Sequence, residues 1–336
     1  MKKRVHITTL CLVALLSGCE NEISFNGEET AQQMVLNAII TVGSPITARV
    51  SNSIFFLSND SVADITDADV RLYVDDKFVE IMQVKKITPT YEAPSQPQYD
   101  APEVSYDPYW IYSANHVAGV GEKIRIEATA PKFEGKVWAE ELVPLVPEVL
   151  KIEYNIIDDS SDKPQSVRLK IHLKDSSAKR NCYALMVQTM FHYTINDGST
   201  WEKMLKTDYT DAVFQSTSET GGLLFGSNDN NYSSSEKFFT DDLFGGSDDY
   251  SLTVTCKASE HTDNITGFGY RIAFDQISES YYNYRTTKEK YSPENILAEP
   301  VQIFNNVVGG IGVVVTCAPS DYKDNYYYTE HIYTED

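Results

Sequence analysis

The sequence predicts a mainly β protein with two tandem β-sandwich-like domains, Ig-like or transthyretin-like, and one short helix near the C-terminus. Three observations support this fold class. Short runs of alternating apolar and polar residues recur along the chain, which is the pattern of strands that bury one face. Turn-forming Gly, Pro, Asn and Asp residues separate these runs, and one stretch has helical periodicity. The length, 336 residues, suits about two domains.

A secretory leader is predicted at the N-terminus. Three basic residues (2–4) precede the apolar run 10–16, which is too short to span a bilayer. The run ends in Leu16-Ser17-Gly18-Cys19, the pattern of a bacterial lipobox. We therefore expect residues 1–18 to be removed as a lipoprotein signal peptide. The thiol of Cys19 would carry the lipid that anchors the chain in a membrane.

The chain is strongly acidic. Its formal net charge is −21, and removing the leader, which holds three cations and no acid, takes the charge to −24. This charge argues against binding to nucleic acid or to an anionic lipid surface, because both would repel the protein.

Few cysteines remain for a disulfide after processing. Of the five in the sequence, Cys11 leaves with the leader and Cys19 is lipidated. The odd number that remains, Cys182, Cys256 and Cys317, allows at most one intramolecular disulfide. All three lie in apolar, strand-like surroundings, so we expect them to act as small buried hydrophobic residues.

The first folded unit is predicted at residues 34–146. Residues 19–33 before it are acidic and poor in apolar residues, and are predicted to form a tether. Within the unit, turn residues at 43–45 and at 75–76 separate alternating runs, which is typical of an antiparallel sandwich. The predicted strands are 34–40, 46–50, 68–74, 77–81, 121–128 and 136–142.

A proline- and tyrosine-rich segment at 85–118 interrupts this pattern. Prolines remove ladder donors, so we predict a long loop here. Aromatic side chains on a stiff loop lose little entropy on docking, which favours partner binding. An alternative is a loop that folds back over an edge of its own sandwich. The candidate partner-binding residues are Tyr91, Tyr99, Tyr106, Tyr109, Trp110 and Tyr112.

A second β domain is predicted at 147–318, after the boundary marked by Pro144 and Pro147. Residues 216–246 are predicted to form a long polar loop with one helical turn. A helix is predicted at 278–291, with Ser278 as its cap. An acidic, Tyr-rich tail follows at 319–336. The predicted strands are 149–157, 166–173, 183–193, 200–202, 251–256 and 269–274.

Three glycines close to the end of this domain indicate unusual backbone geometry. Gly309, Gly310 and Gly312 fit a bulge or turn that needs positive φ, or a close approach of neighbouring backbone. They lack the G-x-G-x-x-G spacing and the following helix of a nucleotide site.

Several motifs resemble one family. They are the helix motif Ser-Glu-x-Tyr-Tyr-x-Tyr at 278–284, the segment 239–244, the opening residues 19–23, and the later residues Glu299, Pro300, Asn306, Gly309, Gly310 and Gly312. Together they resemble a Bacteroidota outer-membrane lipoprotein family of unknown function, often encoded beside TonB-dependent receptors. The likeness covers residues 19 to about 317.

The resemblance implies an anchor in the outer membrane through Cys19 and an accessory role beside a TonB-dependent receptor. The acidic residues just after Cys19 resemble a signal for the cell surface, although a solvated spacer explains them equally well. No catalytic, metal or cofactor residue follows from the resemblance.

The sequence contains no recognised catalytic motif: H-E-x-x-H, G-x-S-x-G and a P-loop are absent. His172 and His192 fall in predicted strands and could approach one another, but a third metal ligand is not indicated. The acid pairs Asp158/Asp159, Asp241/Asp242 and Asp248/Asp249 are expected in solvated turns. Loose Ca²⁺ sites or a glycosidase pair are the alternatives.

The favoured hypothesis is a lipid-anchored outer-membrane accessory protein, not an enzyme and without a cofactor. It would partner a TonB-dependent transporter in ligand capture or uptake. An adhesin or fimbria-like structural subunit is the alternative, because tandem sandwiches and Tyr-rich segments suit both. A carboxylate-dependent surface hydrolase is a second alternative.

Overall fold

The computed structural model describes residues 31–54, 61–89, 107–157, 165–174, 179–194, 198–214, 236–259, 265–291 and 301–321. Within these ranges the chain is mainly β, with one α-helix and two short 3-10 helices, Ala212–Phe214 and Asp241–Leu243. The helix is α1 (Glu279–Lys290). The strands are β1 (Met34–Thr41), β2 (Pro45–Asn52), β3 (Asp69–Val74), β4 (Lys77–Ile81), β5 (Gln83–Ile87), β6 (Tyr109–Val117), β7 (Lys123–Thr129), β8 (Val137–Leu142), β9 (Glu148–Ile157), β10 (Ser166–Lys174), β11 (Cys182–Thr194), β12 (Thr200–Met204), β13 (Lys206–Asp208), β14 (Lys237–Thr240), β15 (Tyr250–Lys257), β16 (Ile265–Ile277) and β17 (Val314–Pro319).

The strands form three sheets. A nine-stranded sheet has the order β12-β11-β16-β17-β1-β2-β6-β5, with β14 paired to β11. The two four-stranded sheets have the orders β4-β3-β7-β8 and β13-β15-β10-β9. Every pair of neighbours is antiparallel except β1 and β17, which are parallel.

Two hydrophobic cores lie against this large sheet, one under each half. In the first, residues such as Leu36, Leu72 and Ile126 are fully buried between β1, β3 and β7. In the second, Leu169, Phe191 and other residues pack β10 against β11 and β16. The predicted fold of two β-sandwiches is therefore confirmed, and the two sandwiches share one continuous sheet.

The structure differs from the predicted division of the chain at its C-terminal end. The sequence assigned residues 147–318 to the second domain, but Val307 and Val314 belong to the first core. β17 pairs with β1 from Ala38 opposite Val314 to Thr41 opposite Cys317. Because parallel neighbours are distant in sequence, no local turn signal announces such a pair.

The hairpin turns follow local sequence rules. Asp75 and Asp76, between β3 and β4, have φ of 49° and 65°. Two consecutive residues with positive φ match the twist of a two-residue hairpin, and Asp tolerates this conformation. The Asp-Gly hairpin predicted near Gly198 also joins an antiparallel pair, β11 and β12.

Helix α1 confirms the predicted helix and its cap. The Ser278 hydroxyl accepts a hydrogen bond from the Tyr281 amide at 3.2 Å. The same hydroxyl accepts one from the Thr316 amide of β17 at 3.3 Å. The helix lies over the outer side of the shared sheet, where Tyr281 and Tyr282 cover Cys182, Ile277 and Cys317.

The predicted loop 85–118 is shorter than expected. Its ends form β5 and β6, which pair from Gln83 opposite Ser113 to Ile87 opposite Tyr109. Prolines occur only between these strands and not within them, so the ladder keeps its donors. The polar loop predicted at 216–246 likewise contains a strand, β14, in which Phe238 and Phe239 are buried.

Candidate interaction surface

Seven of the thirteen candidate lipidation, partner-binding and signature residues lie in the described part of the chain. Cys19, Tyr91, Tyr99, Tyr106, Glu299 and Pro300 lie outside the described residues, as do residues 1–18 and the tail from 322. The remaining aromatic candidates lie on β6. The remaining signature residues lie after the end of α1 and before the start of β17.

Tyr112 is a buried strand residue, contrary to its prediction as an exposed residue of a binding loop. Its side chain is 3% exposed in the first core. The phenol donates a hydrogen bond to the Ile65 carbonyl at 2.8 Å and accepts one from the Ala68 amide at 2.9 Å. Burial raises the pKa of Tyr112. Side chains alternate in direction along β6, which turns this ring inward. The predicted loop has no such alternation.

Tyr109 and Trp110 are partly exposed on β6 and are held in place by charged neighbours. Arg49 lies over the Tyr109 ring at 5.4 Å from its centre, and Lys86 lies over Trp110 at 6.0 Å. Asp64 accepts hydrogen bonds from the Trp110 amide at 2.8 Å and from Arg49 at 2.6 Å. These two rings therefore remain available beside edge strand β5, but as rigid strand residues.

A second aromatic surface, which was not predicted, lies on the outer side of the sheet β4-β3-β7-β8. Strand register places eight side chains in two rows across this sheet. The first row is Phe78, Tyr73, Arg125 and Glu140, and the second is Ile81, Arg71, Glu127 and Trp138. We call these eight residues the outer face. Alternation in β3 and β7 could have revealed it, because every second residue there is polar or aromatic.

Stacking and ion pairs fix the side chains of the outer face. The Arg125 guanidinium lies 4.4 Å from the centre of the Tyr73 ring. The rings of Tyr73 and Phe78 meet edge to face at 5.7 Å. Phe78 is nevertheless 54% exposed, and Ile81 is 49% exposed. The face thus presents ordered aromatic, apolar and cationic groups to solvent.

A shallow cavity lies at one end of this face. It has a volume of about 260 Å³ and is lined by Asp69, Arg71, Glu127, Ala128, Thr129 and Lys136. Arg71 contacts Asp69 at 2.7 Å, and this hydrogen bond lowers the pKa of Asp69. Lys136 contacts Glu127 at 3.1 Å. Since each of these acids has a cation beside it, the cavity is nearly neutral within a strongly acidic chain.

The signature glycines are required by close backbone packing, as the sequence predicted. Gly309 and Gly312 have φ of +81° and +133°. A Cβ atom added to Gly309, Gly310 or Gly312 would lie under 3.0 Å from the carbonyl oxygen of Lys136, Met34 or Leu36, respectively. These glycines therefore let residues 309–312 run directly against β1 and β8.

The asparagines before the glycines hold the same turn. The Asn305 side-chain oxygen accepts from the amides of Val307 at 3.1 Å and Gly312 at 3.0 Å. The Asn306 amide donates to Glu141 at 2.8 Å and to the Val314 carbonyl at 2.7 Å. Burial raises the pKa of Glu141, while hydrogen bonds from Ser280 and Asn306 oppose that shift. Asn306 is therefore a structural residue that joins β8 to β17.

The three described cysteines are buried, as predicted, and they are free, a point that the sequence left open. Ile277 on β16 lies between Cys182 and Cys317, opposite one on each side. Two strand spacings, roughly 9–10 Å, exceed the ~7 Å that a disulfide can bridge. Burial also raises the pKa of Cys182 to about 12, so its thiol is a poor nucleophile.

The histidines predicted to approach one another lie in different sheets. His172 on β10 contacts Asp249 at 2.7 Å and Glu153 at 3.3 Å, while His192 on β11 contacts Glu202 at 3.6 Å. In the part of the chain that the structure describes, no three His, Cys, Asp or Glu side chains are grouped to hold a metal.

The acid pairs are not all solvated turns. Asp241 is buried and accepts hydrogen bonds from the backbone and side chain of Asn181 at 2.9 and 2.7 Å. Asp242 binds Arg180 and the Thr240 hydroxyl, which lower its pKa. The expectation of a solvated pair was wrong here, because the turn packs back onto the start of β11.

Asp275 on β16 is a half-buried acid below α1. Burial, together with the nearby charge of Glu236, raises its pKa to about 6. Glu236 in turn contacts Arg285 of α1 at 3.2 Å. Tyr281, Tyr282 and the thiols of Cys182 and Cys317 also lie on this side, and burial raises the pKa of each.

Asp275→Asn should stabilise the protein above pH 6. The folded-state pKa of Asp275 exceeds its ordinary 3.8. The contribution of protonated Asp275 to stability is therefore fully present below about pH 4 and is lost as the pH rises towards 6. Allowing for partial exposure, we expect a gain on the order of 1 kcal/mol at pH 7.5. Urea unfolding at pH 4, 5, 6 and 7.5 measures it. A variant with the same pH profile as the wild type would contradict the expectation.

The chain can be assigned to a protein family. Residues 20–323 match the family described as Domain of unknown function (DUF4249). The chain belongs to this family. The match includes every described strand and α1, so both sandwiches and the signature turn are parts of one DUF4249 domain.

Similarity to other known proteins is weak. The search of curated proteins found no match to this DUF4249 chain. One similar structure is a Corynebacterium diphtheriae protein described as membrane anchored, at 12% identity and a TM-score of 0.18, covering 90% of this chain and 62% of that one. Another is the Fcho1 Mu homology domain of Danio rerio with a bound Eps15 peptide, at 12% identity and a TM-score of 0.20, covering 90% and 98%. Scores this low carry no argument about fold or function.

The described part of this DUF4249 chain contains no helix with the length and apolar character to cross a membrane.

Proposed function

We propose that this DUF4249 protein is a non-catalytic binding protein, anchored in the outer membrane by lipid on Cys19, that docks on a TonB-dependent transporter and assists ligand capture or uptake. The outer face is the observation that supports docking most directly. It displays Trp, Tyr, Phe and Arg side chains, and Trp, Tyr and Arg are the residues most enriched at energetically important interface positions.

The geometry of the outer face suits a rigid docking surface. Arg125 is pre-organised by stacking on Tyr73, and Arg71 by its contact with Asp69. Side chains that are already ordered lose less entropy when a partner binds. The near-neutral charge of the face also limits repulsion, since the remainder of the chain is acidic.

Two further considerations support the cell envelope as the place of action. The lipobox at residues 16–19 supplies an anchor, so the folded part need not insert into the bilayer. The family resemblance links such lipoproteins with TonB-dependent receptors, which makes a transporter the first partner to test.

A structural surface subunit remains the second candidate, and one observation favours it. β17 is added to β1 from a distant part of the chain, which is the kind of strand donation that surface assemblies use between subunits. The hydrolase alternative has less support, because Asp241 and Asp242 are engaged in structural hydrogen bonds.

Changing two residues of the outer face should reduce partner recovery. We expect Phe78→Ser with Arg71→Ser to lower transporter co-purification at least about tenfold after mild detergent extraction, because both side chains are half exposed and lie on neighbouring strands of the outer face. The matched control is Trp201→Ser with Lys257→Ser, an equally exposed aromatic and an exposed, ion-paired cation on the second sandwich.

Thermal melting of both variants checks that the fold is kept. Equal recovery with the outer-face variant and the control would refute docking through this face. Recovery of the wild-type protein alone, with the transporter expressed, would refute the proposed function itself.

A further inference from the structure

The signature segment, residues 305–313, occupies a groove between the edges of β1 and β8. On β1, the Leu36 amide donates to the Ile311 carbonyl at 2.9 Å, and the Ile311 amide donates to the Met34 carbonyl at 3.1 Å. On β8, the Trp138 and Val308 backbones exchange two hydrogen bonds of 3.1 and 2.8 Å. The segment is therefore bound along both sides, as a peptide ligand would be.

Side chains add shape and polarity to this binding. Val307 is 5% exposed and fills the first core. Asn306 donates to Glu141 of β8, and Asn37 of β1 accepts from the Val313 amide at 3.0 Å. The glycines fit where no Cβ could, against the carbonyls of both strands. The groove thus selects a sequence as well as an extended shape.

The segment is distant in sequence from both β1 and β8. The segment begins more than 160 residues after β8 ends, and its bonds are the main-chain bonds and pockets that serve strand addition between separate chains. The segment carries no charge, so an acidic second copy of the chain can present it without local repulsion.

We propose that the groove between β1 and β8 is a peptide-binding site for the sequence Asn-Asn-Val-x-Gly-Gly-x-Gly, filled here by the chain's own signature segment, and that the segment of a second copy can replace it. This site shares Trp138 with the outer face, through its backbone, but it does not depend on docking to a transporter. It provides a route to strand-exchanged dimers on the cell surface.

The test uses the full chain with a protease site inserted between residues 292 and 300. After cleavage, the C-terminal piece is held only by non-covalent contacts, which are those of the groove together with the pairing of β17 with β1 and β16. A fluorescent synthetic peptide of residues 301–321, added in excess under mild urea, should then enter the cut protein, as measured by anisotropy and size exclusion. The uncut chain should bind the peptide at least about a hundredfold less, because its own segment has a high effective concentration.

Peptide variants keep the protein itself unchanged. Peptides with Gly312→Val or Asn306→Ala should bind the cut chain at least about tenfold more weakly, since they clash or lose hydrogen bonds. Equal binding of the Gly312→Val peptide would overturn the proposal. So would a cut chain that unfolds, or a folded cut chain that excludes the wild-type peptide.

Exchange between copies has its own readout. Two preparations of the uncut chain with different tags, mixed at high concentration, should form mixed dimers, and excess wild-type peptide should dissolve them. Mixed dimers that persist in that excess, or the absence of dimers, would refute the second copy as an occupant.

Discussion

Gly309→Ala should lower the free energy of unfolding by at least about 3 kcal/mol. The new Cβ has two costs, because Gly309 has a φ of +81° and the Lys136 carbonyl oxygen occupies the place where the Cβ would go. Backbone oxygen cannot move aside as a side-chain end can, so β8 would have to shift or the turn would have to detach. Urea unfolding, followed by circular dichroism, measures the loss.

Gly43→Ala is the matched control. Gly43 has nearly the same φ, +77°, but nothing lies within 4 Å of an added Cβ. It should therefore lose only the conformational term, about 1–2 kcal/mol. A similar loss in both variants would show that close packing of the signature turn adds nothing to stability.

Asn306→Ala should lower the free energy of unfolding by about 3 kcal/mol, and the loss should be larger at high pH. The variant removes the donor to Glu141 and both side-chain bonds to the Val314 backbone. Glu141 is partly buried, and burial already raises its pKa. Without Asn306 that pKa rises further, so the penalty for an ionised Glu141 grows as the pH increases from 5 to 8.

Asn115→Ala provides the comparison for this prediction. Asn115 also donates to a glutamate, Glu80, at 3.0 Å, but at an exposed position where water can replace it. Its loss should stay below about 1 kcal/mol at either pH. If Asn306→Ala proves as mild as Asn115→Ala, or equally costly at pH 5 and 8, the buried link between β8 and β17 is unimportant.

Much of the fold follows from local rules. Alternation of apolar and polar residues located most strands to within a few residues, because burial of one face repeats every second position. Ser278 marked the start of α1, since its hydroxyl satisfies a first-turn amide that no other group can reach. The three glycines indicated a close backbone approach, which the structure has at Lys136, Met34 and Leu36.

The candidate site was predicted less well. Six aromatic residues were assigned to one binding loop, but Tyr112 is in the core, and the exposed ring of Phe78 with its neighbour Tyr73 was not singled out. Proline content marked a break in the chain without fixing where the strands beside it begin. The buried hydrogen bonds of Asp241 were also unforeseen, because the partner Asn181 lies 60 residues away in sequence.

By itself, the sequence determined the β class, the presence of two sandwiches, the single capped helix and the glycines at which backbone must pass backbone. These features depend on neighbours a few positions apart, where periodicity, capping and φ preferences act. Only the tertiary structure decided that β17 joins β1, that both sandwiches share one sheet, and that Arg125 meets Tyr73 on an outer face. Those features arise from pairings between distant segments, and register between distant strands is set by the burial of whole faces and not by any short stretch of sequence.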